Sequence, residues 1–211
     1  MIVWCVIMYV VDHSVWGVAV LDNIMYVVYY GSSTIRLYNT DTHSPLDVII
    51  NVDGMKRPCD IVVCRDDRQL YVADHVIFPV WSCINSIFTD CIWRVSVSDH
   101  SCVKWLSTES TTDRFRVNSL SVTSRRLLAT SLMSGHLRQY STTDRQLLRV
   151  VELPQYVRSV SHGVETTRGT FVVGHEGTSQ DQWLDAVSEL FSFVIASIPC
   201  CRSRVRDVLI N

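Results

Sequence analysis

"QLYVADHVIFPVWSCINSIFTDCIWRV", residues 69–95, opens as one β-strand and closes as the next, and the run between them is far too long and apolar for a turn. The flanks carry Leu, Tyr, Val, Ile and Trp in short stretches that suit a pleated, half-buried surface. Whether the middle belongs to the architecture or is added to it decides the fold.

Self-similarity answers the question, because a repeat missed at this level miscasts everything above it. Four segments align: "WGVAVLDNIMYVVYYGSSTIRLYNTDT", "CDIVVCRDDRQLYVADH" resumed at "IWRVSVSDH", "NSLSVTSRRLLATSLMSGHLRQYSTTD" and "SHGVETTRGTFVVGHEG". First-strand positions Val18, Ile61, Leu120 and Gly163 are 43, 59 and 43 residues apart, and second-strand positions Tyr26, Tyr71, Leu128 and Phe171 are 45, 57 and 43 apart. From second strand to third, Tyr26 to Ile35 and Leu128 to Leu137 are both 9, whereas Tyr71 to Trp93 is 22, an excess of 13. The excess lies inside the opening stretch, so "VIFPVWSCINSIF", residues 76–88, reads as an insertion into a finished unit.

A period near 43 with four short strands per unit fits a β-propeller blade, whose repeats run ~40 to 50 residues. Turn chemistry agrees. "LDN", "RDDRQ", "TSRR" and "TTRG" join first to second strands, and polar "NTDTHSP", "SVSDHS" and "STTDRQ" follow the third. Outer strands read as "LDVIINV", "VKWLST" and "LLRVVEL", with Pro58 and Pro154 between units. The expected fold is all-β, a β-propeller of about four blades, incomplete or an arc, in one domain over residues 1–199. Its repeats span about 15–55, 56–112, 115–155 and 157–199, and a basic tail follows at 200–211. Strands are expected near Val15 to Leu21, Ile24 to Tyr29 and Thr34 to Tyr38. "DQWLDAVSELFSFVIAS" has apolar residues at helical spacing as well, but the repeat requires strands there.

"LYVAD" followed by "IWRV", with "WGVAVLDNIMYVV" before them, resembles the NHL-repeat and related six-bladed propellers, in which a Tyr-Val-Ala-Asp strand recurs. The match is best at Leu70, Tyr71, Val72, Ala73 and Asp74 and partial at Met25, Tyr26 and Val27. The resemblance implies an interaction platform; some members bind RNA, and some relatives are metal-dependent hydrolases. Six blades do not fit this length, which leaves a fragment, an arc needing another copy, or a compact four-bladed variant.

Composition sets outer limits. The chain has 211 residues, 47% of them apolar, enough for a core. Nineteen basic and 21 acidic residues give a net charge of -2, so no field of one sign steers the molecule to nucleic acid. The eight cysteines form no CxxC pair, which points to a reducing, cytoplasmic compartment. "MIVWCVIMYVV" at residues 1–11 is too short to span a bilayer and has no basic residue before it; it reads as a strand.

No constellation of catalytic residues emerges. His75 with Cys83, Asp90 and Cys91, and His162 with His175, Glu176 and Asp181, lack the short regular spacing of zinc ligands. There is no GxSxG elbow. Asn23, Asn118 and Glu165 could imitate the channel ligands of a propeller hydrolase, but they sit at different depths of the repeat, where turn residues are the simpler account. Arg125 and Arg126, and Arg202, Arg204 and Arg206, come without an aromatic platform for bases. Cys200 and Cys201 read as small hydrophobes.

The expectation is therefore a non-catalytic interaction module with no cofactor and no metal, a protein partner, no nucleic acid, no membrane span, and possible self-association through uncovered blade faces. A gluconolactonase-like metal-dependent hydrolase and a degenerate propeller fragment are the alternatives. Phe78, Trp81, Ile84 and Phe88 of the insertion are the candidate interaction residues, since apolar side chains are costly to leave in water. A retained non-coding segment would explain the same stretch.

Overall fold

Short alternating apolar runs punctuated by Asp, Asn, Ser and Thr leave little choice but hairpins. The computed structural model describes residues 15–75, 90–108, 115–131, 134–155, 157–166, 168–176, 182–187 and 194–200. Every regular element among them is a strand. The first sheet holds β1 (Val15–Leu21), β2 (Ile24–Tyr29), β3 (Thr34–Asn39) and β4 (Pro45–Asn51). The second holds β5 (Pro58–Cys64), β6 (Gln69–Asp74), β7 (Asp90–Ser96) and β8 (Cys102–Thr108). The third holds β9 (Val117–Thr123), β10 (Arg126–Ser131), β11 (His136–Ser141) and β12 (Leu147–Glu152), and the fourth β13 (Arg158–Glu165), β14 (Phe171–Glu176), β15 (Gln182–Val187) and β16 (Val194–Cys200). Each sheet is antiparallel, with strands adjacent in chain order. The chain is all-β and propeller-like, and Gln182–Val187 and Val194–Cys200 are strands as the repeat requires.

The strands divide into two compact units, residues 1–113 and 114–211. In the first, the two sheets bury one apolar layer between them: Tyr26, Val28, Ile35 and Leu37 meet Ile61, Leu70, Val72 and Trp93. Gly17 lets β1 approach β5, since a Cβ there would lie 2.8 Å from the Ile61 nitrogen. In the second, Leu128, Leu137 and Val151 pack against Val160, Phe171 and Val173.

The buried strand residues include Tyr26, Val28, Ile61, Tyr71, Ala73, Trp93, Leu120, Leu128, Leu137, Phe171 and Val173. Val18, Val20, Val63 and Val122 are only half-buried. β1 turns Gly17, Ala19 and Leu21 to the deeply buried side, so Val18 and Val20 fall on the opposite face, against Met25, Val27 and Tyr29. Val63 and Val122 lie beside the turns at 65–68 and 124–125, where water reaches.

The register corrects the length of the insertion. Trp93 pairs with Val72, as Arg36 pairs with Val27 and Arg138 with Ala129, so Ile92 rather than Trp93 matches Ile35. Tyr71 to Ile92 is 21 residues, an excess of 12 over Tyr26 to Ile35. The expected match was one residue late because Trp93 is the conspicuous aromatic, and it is buried too. The β2–β3 connection is 30–33 and the β10–β11 connection 132–135, while β6–β7 uses 75–89. Residues 76–89, with Phe78, Trp81, Ile84 and Phe88, lie outside the described residues, as do 1–14 and 201–211.

Candidate functional site

Three devices recur from sheet to sheet and fix what each end of a unit presents. The first is a β-bulge near the start of each sheet's first strand. Pairing skips Trp16 in β1, Cys59 in β5, Asn118 in β9 and both Ser159 and Ser161 in β13. A bulge leaves one residue unpaired and re-aims its side chain. In the first sheet that residue is Trp16, 44% exposed and stacked on Tyr30 with ring centroids 4.9 Å apart.

The second device is a clasp at the end of the second strand. Asp74 is fully buried, and its carboxylate accepts the backbone N–H groups of Lys56 and Arg57, at 3.1 and 2.6 Å, together with Nε1 of Trp93. Ser131 does the same work in the third sheet, its hydroxyl accepting the N–H of Arg116 at 3.0 Å. The aspartate of "LYVAD" thus ties the incoming chain to the strand behind it, a structural duty that keeps a buried carboxylate satisfied.

The third device is the turn between third and fourth strands. His43, His100 and Arg145 occupy its left-handed position, with φ of 56°, 58° and 66°. Asn39 and Ser141 accept N–H groups from the turns they precede. In the second sheet Asp99 accepts the N–H and hydroxyl of Ser101, and hydrogen bonds from Ser96 first and then from Ser101 hold its carboxyl at about 2.

The other candidate residues are committed to similar duties. Glu165 is buried between Arg149, 2.6 Å from its Oε1, and Gln139, whose Nε2 donates to Oε2 at 2.7 Å; Arg126 approaches at 3.2 Å. Arg149 Nε donates to Gln139 Oε1, and its guanidinium lies over the Phe171 ring. Asn118 donates to the carbonyl of Ser161, and Asn23 donates to Asp41. His162 shares a hydrogen bond with Ser119. Within the second unit Asn118 and Glu165 therefore stand at opposite ends of their strands and do not converge. Cys91 contacts Asp74 and His75 donates its N–H to the Arg57 carbonyl, while Cys83 and Asp181 lie outside the described residues. Among the described residues no three His, Cys, Asp or Glu side chains gather as a metal site.

Among the described residues Cys59, Cys64, Cys91 and Cys102 form no disulfide. Burial pushes Cys64 and Cys102 above the usual thiol range, which leaves them protonated and poorly nucleophilic near neutral pH. Among the described residues no helix is long and apolar enough to cross a membrane.

What the end of the first unit offers is therefore a surface. Trp16 is the bulged residue at the start of β1, Tyr30 follows β2, Lys56 and Arg57 precede β5, and β6 finishes at Asp74 at the same end. The Arg57 guanidinium sits 5.7 Å from the Tyr30 ring. The bulge that re-aims Trp16 is invisible in the sequence pattern, because one extra residue in a strand looks like ordinary alternation.

No family model matches the chain, and no curated protein matches it. Among solved structures, hydrazine synthase of Kuenenia stuttgartiensis, a propeller-containing protein, is similar in fold at a TM-score of 0.64 and 10% identity. The likeness covers 90% of this chain and 50% of that one, so the chain spans about half of its structural relative. In all, 676 solved chains share this likeness, and a fold so widely used selects no activity.

Proposed function

We propose that this protein is a non-catalytic interaction module, related to the NHL-type propellers, that presents the connections at one end of its sheets to a protein partner. The observation that carries this is the placement of Trp16 and Tyr30. Two large aromatic rings are held on a rigid bulge and turn, near half exposure, at the end of the unit where β6 finishes. Rigid strands fix such loops in position while their composition is free to vary. Aromatic side chains on rigid supports bring large contact area at small entropic cost. The buried roles of Asp74 and Glu165 support the same conclusion, since residues that could serve chemistry are spent on joining strands.

Described cysteines without disulfides support a reducing, cytoplasmic setting. Exposed Val48 and Ile49 on edge strand β4, and Leu147, Leu148 and Val150 on edge strand β12, support self-association as a second mode of use. Light scattering across a concentration series measures it.

The experiment that tests the proposal combines metal analysis with esterase and lactonase assays on purified protein. Absence of turnover, with metal below stoichiometric content, is expected. Stoichiometric calcium or zinc together with turnover would replace the proposal with a propeller hydrolase.

A further inference from the structure

The connection between β4 and β5 carries the only Asp-Gly step of the sequence, Asp53–Gly54. Val52 and Met55 on either side are buried in the core of the first unit, while Asp53 and Gly54 are exposed. The Met55 N–H donates to the Val52 carbonyl at 3.1 Å, and Gly54 has a φ of 91°. Residues 52–55 therefore form a type II turn, whose third position suits glycine and whose closing bond leaves the N–H of that glycine unused.

Other exposed turn aspartates have their carboxylates engaged. Asp22 pairs with Arg68, Asp41 accepts a hydrogen bond from Asn23, Asp99 accepts from Ser101, and Asp144 accepts the N–H of Gln146. Hydrogen bonds from Ser96 and then Ser101 hold the Asp99 carboxyl low, and those from Ser141 and then Gln146 do the same for Asp144, so the neutral acid is scarce at both. Among the described residues the Asp53 carboxylate accepts no hydrogen bond.

We propose that Asp53 is a modification site, converted to isoaspartate by its own backbone. The Gly54 nitrogen attacks the side-chain carboxyl carbon of Asp53; the new N–C bond closes a succinimide, and the Gly54 proton leaves with the carboxyl hydroxyl as water. Solvent water then opens the ring. Addition at the side-chain carbonyl returns aspartate, and addition at the main-chain carbonyl leaves isoaspartate, with no net change of mass or oxidation state. Glycine presents the least hindered nitrogen for this attack, since it has no side chain. Ring closure requires the turn to leave its type II form, and the product cannot re-enter it, because isoaspartate adds a methylene to the main chain between two buried anchors, Val52 and Met55. A Cβ on Gly54 would lie 3.3 Å from the Trp93 ring, so the turn rests on that ring, and the N–H groups of Lys56 and Arg57 just beyond it bond Asp74. Isomerisation therefore loosens the clasp and weakens the first unit.

The test incubates the folded full chain in neutral buffer at physiological temperature for several weeks, beside a synthetic peptide of residues 50–57. Proteolytic digests are separated by chromatography, and electron-transfer fragmentation distinguishes isoaspartate from aspartate. Isoaspartate is expected to accumulate at Asp53 ahead of Asp22, Asp41, Asp99 and Asp144, and the aged protein is expected to unfold at a lower temperature than the fresh one. Asp53→Glu, an exposed change that lengthens the side chain and disfavours the ring, should keep its unfolding temperature through the same incubation. Asp53→Asn closes the same ring with loss of ammonia and should convert faster than the parent. A folded chain that stays unmodified at Asp53 while the peptide converts would overturn the proposal, as would equal conversion at Asp99 or Asp144. Isoaspartate at Asp53 with an unchanged unfolding temperature would overturn the link to the clasp.

Discussion

The carboxylate of Asp74 accepts a hydrogen bond from the indole Nε1 of Trp93 at 3.1 Å, between neighbouring strands β6 and β7. Asp74 has no exposure and Trp93 is 8% exposed, so the bond is made away from water, where losing a partner is expensive.

Asp74→Ala removes the acceptor for Trp93 and for the N–H groups of Lys56 and Arg57. It is expected to destabilise the first unit by about 3 kcal/mol, and Trp93→Phe by about 1 to 2 kcal/mol. Trp93→Ala also deletes a large core ring, for about 3 to 5 kcal/mol. Denaturant unfolding of the two singles and the double Asp74→Ala/Trp93→Phe measures the coupling. Strict additivity would mean that the two side chains act independently.

The strands and their repeat were legible because alternation and turn residues are local signals. Val15–Leu21 and Ile24–Tyr29 fall where the pattern puts them. The bulge at Trp16 was not legible, nor was the face of Val18 and Val20, because both depend on register against a partner strand. The double duty of "LYVAD" was half legible: its hydrophobic residues announce a strand, but the role of Asp74 depends on Arg57 and Trp93, 17 and 19 residues away. Glu165 stood out as a candidate ligand, and only its position between Arg149 and Gln139 shows it to be a structural anion.

Glu165→Ala leaves the Arg149 guanidinium half-buried without its carboxylate. A loss of about 3 to 5 kcal/mol is expected for breaking such a pair, and the neutral pair Glu165→Gln/Arg149→Met should recover much of it. Hydrogen exchange through β11 to β14 reports the change, and a loss below about 1 kcal/mol would mean that water, rather than Arg149, satisfies Glu165.

His43, His100 and Arg145 hold left-handed backbone that costs a residue with a Cβ about 1 kcal/mol or more. His43→Gly and His100→Gly are each expected to raise stability by up to about 1 kcal/mol, while His100→Val should lower it. Thermal unfolding of the three variants checks the sign. A stabilising His100→Val would contradict the turn geometry.

The Asp99 carboxyl, held at about 2 against an ordinary 3.8, favours the fold whenever it is charged. Its contribution is complete above about pH 4 and is lost as pH falls through 2, because the unfolded chain takes up the proton first. Carbon-detected NMR titration should place the Asp99 midpoint below that of an unstructured aspartate. Ser96→Ala should raise the midpoint, and Ser101→Ala should do so by less.

We propose that the second sheet is complete without residues 76–88. The register supports it: Asp74 stands opposite Cys91, so the ends of β6 and β7 are side by side and a hairpin turn can close them. Deleting Val76 to Phe88 and following thermal unfolding with hydrogen exchange tests the claim most directly. A shortened protein that unfolds in one cooperative transition, with β6 and β7 still protected, is the expected result. A shortened protein that fails to fold under conditions where the parent folds would show that the stretch belongs to the core.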